Sequence, residues 1–354
     1  MTEVGHTRPL AALRRGDGPS FGGKSSALGE LIAAEIPVAP GFALSTAAFR
    51  AFVQEAGLEG KIAFELSRVS PGDVDSVVAA SHAISEAMRF APVPESVRDE
   101  ITRAYAELAE EAGTAEPPVA VRSSALGEDG EDTTFAGQLE SYLWVHGAEH
   151  VCDAVRDCWV SLFGPPAIAY RAHVGQGEPA MGVAVQLMVD ARVSGVLFTC
   201  NPVSGDPSMM AVNASWGLGL AVVGGEVTPD DFLVSKVTRE VVRERVHVKE
   251  VEYVPDAGGR GAVRVEVPEE RRAIACLDRA ALEALVEVGS RVERAFGSHQ
   301  DVEWAIARER ELTDGLFVLQ SRPVTGLPER PSTPENATAM ALVMSMFGVG
   351  KAQE

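Results

Sequence analysis

Helical and extended patterns are segregated along this chain, and that segregation is the strongest constraint on its fold. Up to about Ala112 the apolar residues recur at helical spacing. "STAAFRAFVQEAG" takes Ser45 or Thr46 as its cap and carries Phe49, Phe52 and Val53 on one face. From Pro117 onwards short β-branched runs take over. "PPVAVRSSA" and "TFAGQLESYLWV" lead into strands, and "MGVAVQLMVDARVSGVLFTCNPVSGD" gives two strands joined by a polar turn around Asp190 and Arg192. "MMAVNASWGLGL" and "DDFLVSKVT" are further strands, and "REVVRERVHVKEVEYV" reads as a surface strand pair. Two later stretches are helical: "AVRDCWVSLFGPPAIAYRAHVG", broken at Gly-Pro-Pro, and "RAALEALVEVGSRVERAFG", with Leu282, Leu285, Val286, Val292 and Phe296 inwards. Helices first and strands later make an α+β chain. At 354 residues it is too long for one small core, so two lobes are expected.

Charge narrows the functional classes. With 51 acidic against 31 basic residues the formal net charge is -20, and the basic residues form no cluster. Such a chain is a poor binder of nucleic acid or of anionic membranes. An anionic ligand would need a local positive pocket. No apolar run approaches the roughly 20 residues that span a bilayer, and "MTEVGHTRPL" has no apolar signal core, so a cytoplasmic protein is expected. Cys152, Cys158, Cys200 and Cys276 lack metal-ligand spacing and read as buried reduced thiols.

"GPSFGGKSS" spells a P-loop, with Gly18, Gly23, Lys24 and Ser25 in the fixed places. A P-loop must follow a buried parallel strand. "RPLAALRRGD" holds two arginines, has no β-branched residue, and is a poor central strand. Glycines ahead of a helix from Lys24 to about Ala34 still expose backbone N–H groups beside a lysine, and this suits an anion. Taken alone, a flexible loop with a solvated lysine explains the piece better. "VAVRSSALGED" puts Arg122 at the end of a strand, where its guanidinium can grip phosphate in two-pronged fashion or pair with Glu128 or Asp129. "DVEWAIA" and "LFVLQSRPV" flank the charged connection "RERELTDG". Paired as a hairpin, they set Asp301 and Glu303 on one face, and Gln320 and Arg322 on one face. Carboxylate and amide oxygens suit Mg²⁺, and Arg322 beside them could neutralise charge on a transferred group. A surface ion pair is the plainer alternative.

Six motifs in order carry a resemblance: "FGGKSSALGEL", "GFALSTAAF", "VAVRSSALGED…TFAGQLESYL", "VLFTCNPVSGD", "NASWGLGLAVVGGEVTPDDFLV" and "DVEWAIA…LQSRPV". From about Phe21 to Thr325 the chain resembles the ATP-binding domain shared by phosphoenolpyruvate synthase, pyruvate phosphate dikinase, rifampicin phosphotransferase and phenylphosphate synthase. The resemblance implies an ATP-grasp-like fold with ATP between two lobes. It implies phosphate contacts for Lys24 and Arg122. Thr134, Phe135, Ala136, Gly137 and Gln138 match a loop that closes over the phosphates. Gln186, Leu187, Met188 and Val189 match an interlobe strand whose backbone reads adenine. Glu303 and Gln320 match the Mg²⁺ ligands, and Arg322 the arginine beside them. The expected lobes are residues 1–185 and 186–326. A Pro-rich linker and an uncharged apolar segment follow over 327–354.

In the family ATP phosphorylates a histidine on a swivelling domain, releasing AMP and phosphate. None of His6, His82, His146, His150, His173, His247 and His299 has the Thr-Ser-His context of that carrier. The resemblance therefore implies an ATP-using phosphotransferase part whose carrier histidine, and final acceptor, lie on another domain or subunit. An ATP-grasp ligase that forms an acyl phosphate is one alternative. A nucleotide-sensing module without catalysis is the other.

Overall fold

The computed structural model describes residues 5–125, 141–174, 179–256, 258 and 261–327. Its strands are β1 (Thr7–Pro9), β2 (Gly41–Leu44), β3 (Val119–Ala125), β4 (Ser141–Val145), β5 (Met181–Leu187), β6 (Ala191–Phe198), β7 (Met209–Trp216), β8 (Asp230–Ser235), β9 (Val241–Arg245), β10 (Val251–Pro255), β11 (Ala262–Glu266), β12 (Gln300–Ala307) and β13 (Leu316–Pro323). Its helices are α1 (Gly18–Phe21), α2 (Gly23–Ala33), α3 (Thr46–Glu55), α4 (Glu59–Ser67), α5 (Val74–Phe90), α6 (Glu95–Ala112), α7 (Ala148–Ser161), α8 (Pro165–Val174), α9 (Leu220–Val223), α10 (Glu269–Arg272), α11 (Arg279–Phe296) and α12 (Leu312–Gly315). The fold is α+β. Every ladder between these strands is antiparallel, and three sheets result: β1-β2-β5-β3-β4, β13-β12-β6-β7-β8-β9, and the ribbon β10-β11.

Local chemistry explains the helix limits. The Asp73 side chain accepts from Asp75 N and Ser76 N at the start of α5, and Asp278 accepts from Ala281 N at the start of α11. Gly113 and Gly297 end α6 and α11 in the left-handed region, at φ 66° and 70°. Ser45 holds the N-cap position of α3, although its hydroxyl caps nothing.

Three apolar clusters organise the packing. The first sets α3 to α8 against the five-stranded sheet, with Phe49, Phe52, Trp159 and Phe163 at its centre and the Phe52 and Trp159 rings stacked at 5.2 Å. Burial contributes about 1.5–3 kcal/mol for each such Phe. The second joins Leu10, Phe21, Leu28 and Leu31 to Val193, Leu197, Leu285, Trp304 and Val318, so it draws residues from both sides of position 185. The third is small and lies where the chain passes from one large sheet to the other, at residues 188–190.

That passage is the polar turn read around Asp190. The strands it joins, β5 and β6, belong to different sheets. It is pinned by Arg308 N donating to Asp190 O at 2.8 Å and Met188 N donating to Pro118 O at 2.9 Å.

Two sequence readings need correction. "REVVRERVHVKEVEYV" does not fold back as a strand pair. Its first strand, β9, pairs with β8, and its second, β10, pairs with β11. The cause is Lys249 between them, whose ammonium is fully buried on Asp230 at 2.5 Å and so draws the chain away from β9. Arg122 is not at a strand end but in the middle of β3, because the Ser-Ser-Ala that follows it continues the ladder with β5. Residues 126–140, which include Thr134 to Gln138 as well as Glu128 and Asp129, lie outside the described residues, as do residues 328–354.

Candidate nucleotide site

No strand leads into the glycine-lysine loop. The residues before it form two short 3₁₀ turns, Leu10–Ala12 and Arg15–Asp17, followed by α1. The P-loop spelling therefore has none of the strand-loop-helix geometry of a P-loop. What it has instead is a helix start pressed on a strand. Gly22, the N-cap of α2, has φ 82°, and a Cβ there would collide with the Ser124 backbone. Ser25 N donates to Ser124 Oγ at 3.1 Å in the buried interior. Lys24, half-buried in the first turn of α2, thus sits on the helix end that rests two residues from Arg122.

Arg122 reaches across from the five-stranded to the six-stranded sheet. Its Nη1 donates to Leu319 O at 3.2 Å and lies 3.6 Å from Glu303 Oε2. Its Nε is buried with no partner among the described residues. Such an orphaned donor is costly unless a ligand completes it.

The hairpin is formed as the alternation required. Glu303 faces Gln320 and Asp301 faces Arg322 across β12 and β13, so all four share one face. Leu319 is the extra residue of a bulge between these pairs and the rest of the ladder. Arg322 Nε donates to Asp301 Oδ2 at 2.8 Å, and Nη2 approaches the same oxygen at 2.7 Å. Burial raises the Asp301 carboxyl above its ordinary value, and the Arg322 charge partly offsets this. Alternation had set Asp301 with Glu303 and Gln320 with Arg322, but the pairing of Asp301 with Arg322 comes from the register. The anchor at the base of the hairpin did not follow from alternation either: buried Gln300 accepts from Ser321 Oγ at 2.9 Å, and its N–H donates to Thr199 Oγ1 at 2.7 Å.

Gln186 is buried, with its amide donating to Ala39 O at 3.1 Å. Leu187 N donates to Pro40 O at 2.8 Å and Met188 N to Pro118 O at 2.9 Å, while Val189 is buried in the small third cluster. The stretch Gln186–Val189 therefore forms the floor of the passage between sheets.

Glu303 and Gln320 offer two hard oxygens on one face beside the orphaned Arg122 donor. Among the described residues no three His, Cys, Asp or Glu side chains gather as a metal site. Two protein oxygens fit Mg²⁺, which keeps several waters and shares phosphate oxygens, better than they fit a metal that needs a full protein cage. No helix among the described residues is long and apolar enough to cross a membrane.

Comparison with known proteins gives the family. Residues 18–341 match the family described as pyruvate phosphate dikinase, AMP/ATP-binding domain. The chain is 38% identical to a probable phosphoenolpyruvate synthase of Methanocaldococcus jannaschii, over 91% of this chain and 27% of that protein. It is 37% identical to a probable phosphoenolpyruvate synthase of Methanothermobacter thermautotrophicus, over 92% of this chain and 47% of the other. With the phosphoenolpyruvate synthase of Pyrococcus furiosus it shares 34% identity, over 96% and 46% of the two chains. The chain thus spans less than half the length of these relatives. A solved protein from Pyrococcus horikoshii overlaps it with a TM-score of 0.32 at 12% identity, covering 77% of this chain and 100% of that one, too slight a likeness to bear on the fold. On the family match and these identities, the chain belongs to the AMP/ATP-binding domain family of pyruvate phosphate dikinase.

Proposed function

We propose that this chain is the ATP-using part of a dikinase-type phosphotransferase, with MgATP held between two ATP-grasp-like lobes, residues 1–185 and 186–326. The observation that carries the reading is Arg122, which spans the two large sheets with a weak ion pair and an orphaned Nε. On nucleotide binding Arg122 leaves Glu303 for the phosphates. Lys24 and the first turn of α2 hold the same anion. Glu303 and Gln320 hold Mg²⁺, which when bound neutralises charge on the phosphate oxygens. Arg322, steadied by Asp301, faces the group in transfer.

The base lies at the passage between sheets. The Leu187 and Met188 amides are already engaged there, so the carbonyls of Gln186–Val189 are the readers of its exocyclic amine.

The β-phosphoryl group passes to a histidine nitrogen on a separate domain or subunit. The Pα–O–Pβ linkage breaks to release AMP, and water cleaves the Pβ–O–Pγ linkage to release inorganic phosphate. The residues Thr134 to Gln138 are proposed to cover the phosphates. Like the relatives' wider activity, the carrier histidine belongs to what lies beyond this chain, and the final acceptor is chosen there. A cytoplasmic setting fits a consumer of MgATP.

Calorimetry with ATP, with and without Mg²⁺, tests the site. Lys24→Ala and Arg122→Ala should each weaken binding about ten-fold or more. Unchanged affinity in both variants would overturn the reading. Chromatography of the nucleotide products, with a carrier supplied, should show AMP and phosphate, whereas ADP with a ligated product would mark a ligase. Metal-independent binding without any turnover would mark a sensor.

A further inference from the structure

We infer that Trp144 is the base-stacking residue of this site, an inference that rests on the placement of the nucleotide base proposed above. Trp144 lies in β4 with φ 59°, in the left-handed region. For a residue this bulky that backbone is an outlier. It is held there by a bulge. Val121 pairs with Tyr142 and Val119 with Val145, so one residue of β3, Ala120, opposes two of β4, Leu143 and Trp144. The extra residue of such a bulge is ordinarily a glycine when it turns left-handed. Here it is a tryptophan.

The bulge re-aims the side chain. Tyr142 and Val145, three residues apart, both pack on the helical core, which regular alternation forbids. Trp144, between them, leaves that core and packs on the small third cluster at the passage between the sheets, together with Leu187, Met188 and Leu319. Leu187 and Met188 belong to the proposed base-reading stretch, and the carbonyl of Leu319 is the one that Arg122 binds. The ribbon supports the same spot, with Gly261 N donating weakly to Trp144 O at 3.5 Å and Tyr253 and Ala262 packing on the same cluster.

Trp144 is half-buried, while Trp159, Trp216 and Trp304 are buried in the two large clusters. A strained backbone persists only where its surroundings over-determine it, and such strain gathers at ligand sites. An indole presented half-bare at the edge of an apolar cluster offers a flat face to a purine.

Calorimetry on the full chain with MgATP and with magnesium tripolyphosphate tests this. Trp144→Asn, which suits a left-handed backbone, should weaken ATP on the order of ten-fold and leave tripolyphosphate within about two-fold. Trp144→Phe should keep most of the ATP affinity but lose the change in tryptophan emission that ATP produces in the parent chain. Should Trp144→Asn bind ATP as the parent does while Lys24→Ala does not, the stacking role is overturned and the phosphate site stands. Should the parent bind neither probe, both readings fall. Equal losses for ATP and tripolyphosphate would also overturn the stacking role, since a contact to the base cannot act on a ligand that has none.

Discussion

Two ion pairs of this protein are built on opposite plans. Lys249 and Asp230 are both fully buried, 2.5 Å apart, with every polar atom used. Asp230 Oδ1 also accepts from His247 N, and Oδ2 from Cys276 N, while Lys249 Nζ donates to His247 O. Arg122 and Glu303 are 3.6 Å apart, the Glu303 side chain is 37% exposed, and Arg122 Nε is left over. The first arrangement has one partner set and no use for another. The second is cheap to break, as the proposed exchange of a carboxylate for a phosphate requires. Completeness of hydrogen bonding therefore separates the polar group that holds the fold from the polar group proposed to take a ligand.

The sharpest way to break this contrast is Lys249→Met. It strands the Asp230 carboxylate in the core and should cost about 3–5 kcal/mol of unfolding free energy, read by urea titration. A cost below about 1 kcal/mol would mean that the knot is not structural. Arg122→Ala should do the reverse. Unfolding free energy should move by less than about 1 kcal/mol, while ATP binding, read by calorimetry, weakens by about 1.5–3 kcal/mol. Restoring charge balance sharpens the comparison further. Adding Asp230→Asn to Lys249→Met removes the stranded charge and should recover at least about 1 kcal/mol of the single variant's loss.

The smallest effect concerns Asp301, whose carboxyl is raised above 3.8 chiefly by burial. Its folded form holds the proton more tightly than the unfolded chain does. Its contribution to stability is therefore whole below 3.8 and is lost as pH rises through the folded value. Asp301→Asn should make the slope of stability against pH less negative in that window, as read by urea midpoints across the mildly acidic range.

Much of the site was legible because its parts are local or periodic. The hairpin from Gln300 to Pro323 joins neighbours in the chain. The register that opposes Glu303 to Gln320 had to come from the structure, but alternation alone set Asp301 beside Glu303 and Gln320 beside Arg322. The α11 stripe was readable for the same reason. What the sequence hid is long-range. Arg122 finds Leu319 across 197 residues, and nothing in "VAVRSSA" foretells it. Lys249 sat inside a run read as exposed strand, since a buried lysine is recognisable only once its carboxylate is placed. The third cluster could not be seen because its buried members come from four separate segments, at Ala39, Val189 and Ala191, Leu218, and Ala305 and Ala307.

The packing of α2 has a consequence for how the protein is made. Leu28 and Leu31 of α2 share a cluster with Val318 of β13. On a ribosome the helix bearing Lys24 emerges early, beside Leu10 and Leu13 of the same cluster, yet its partner in β13 is synthesised nearly three hundred residues later. Until then the part of its apolar stripe that Val318 covers stays open. The packing of the helix that bears Lys24 is therefore completed only when β13 docks.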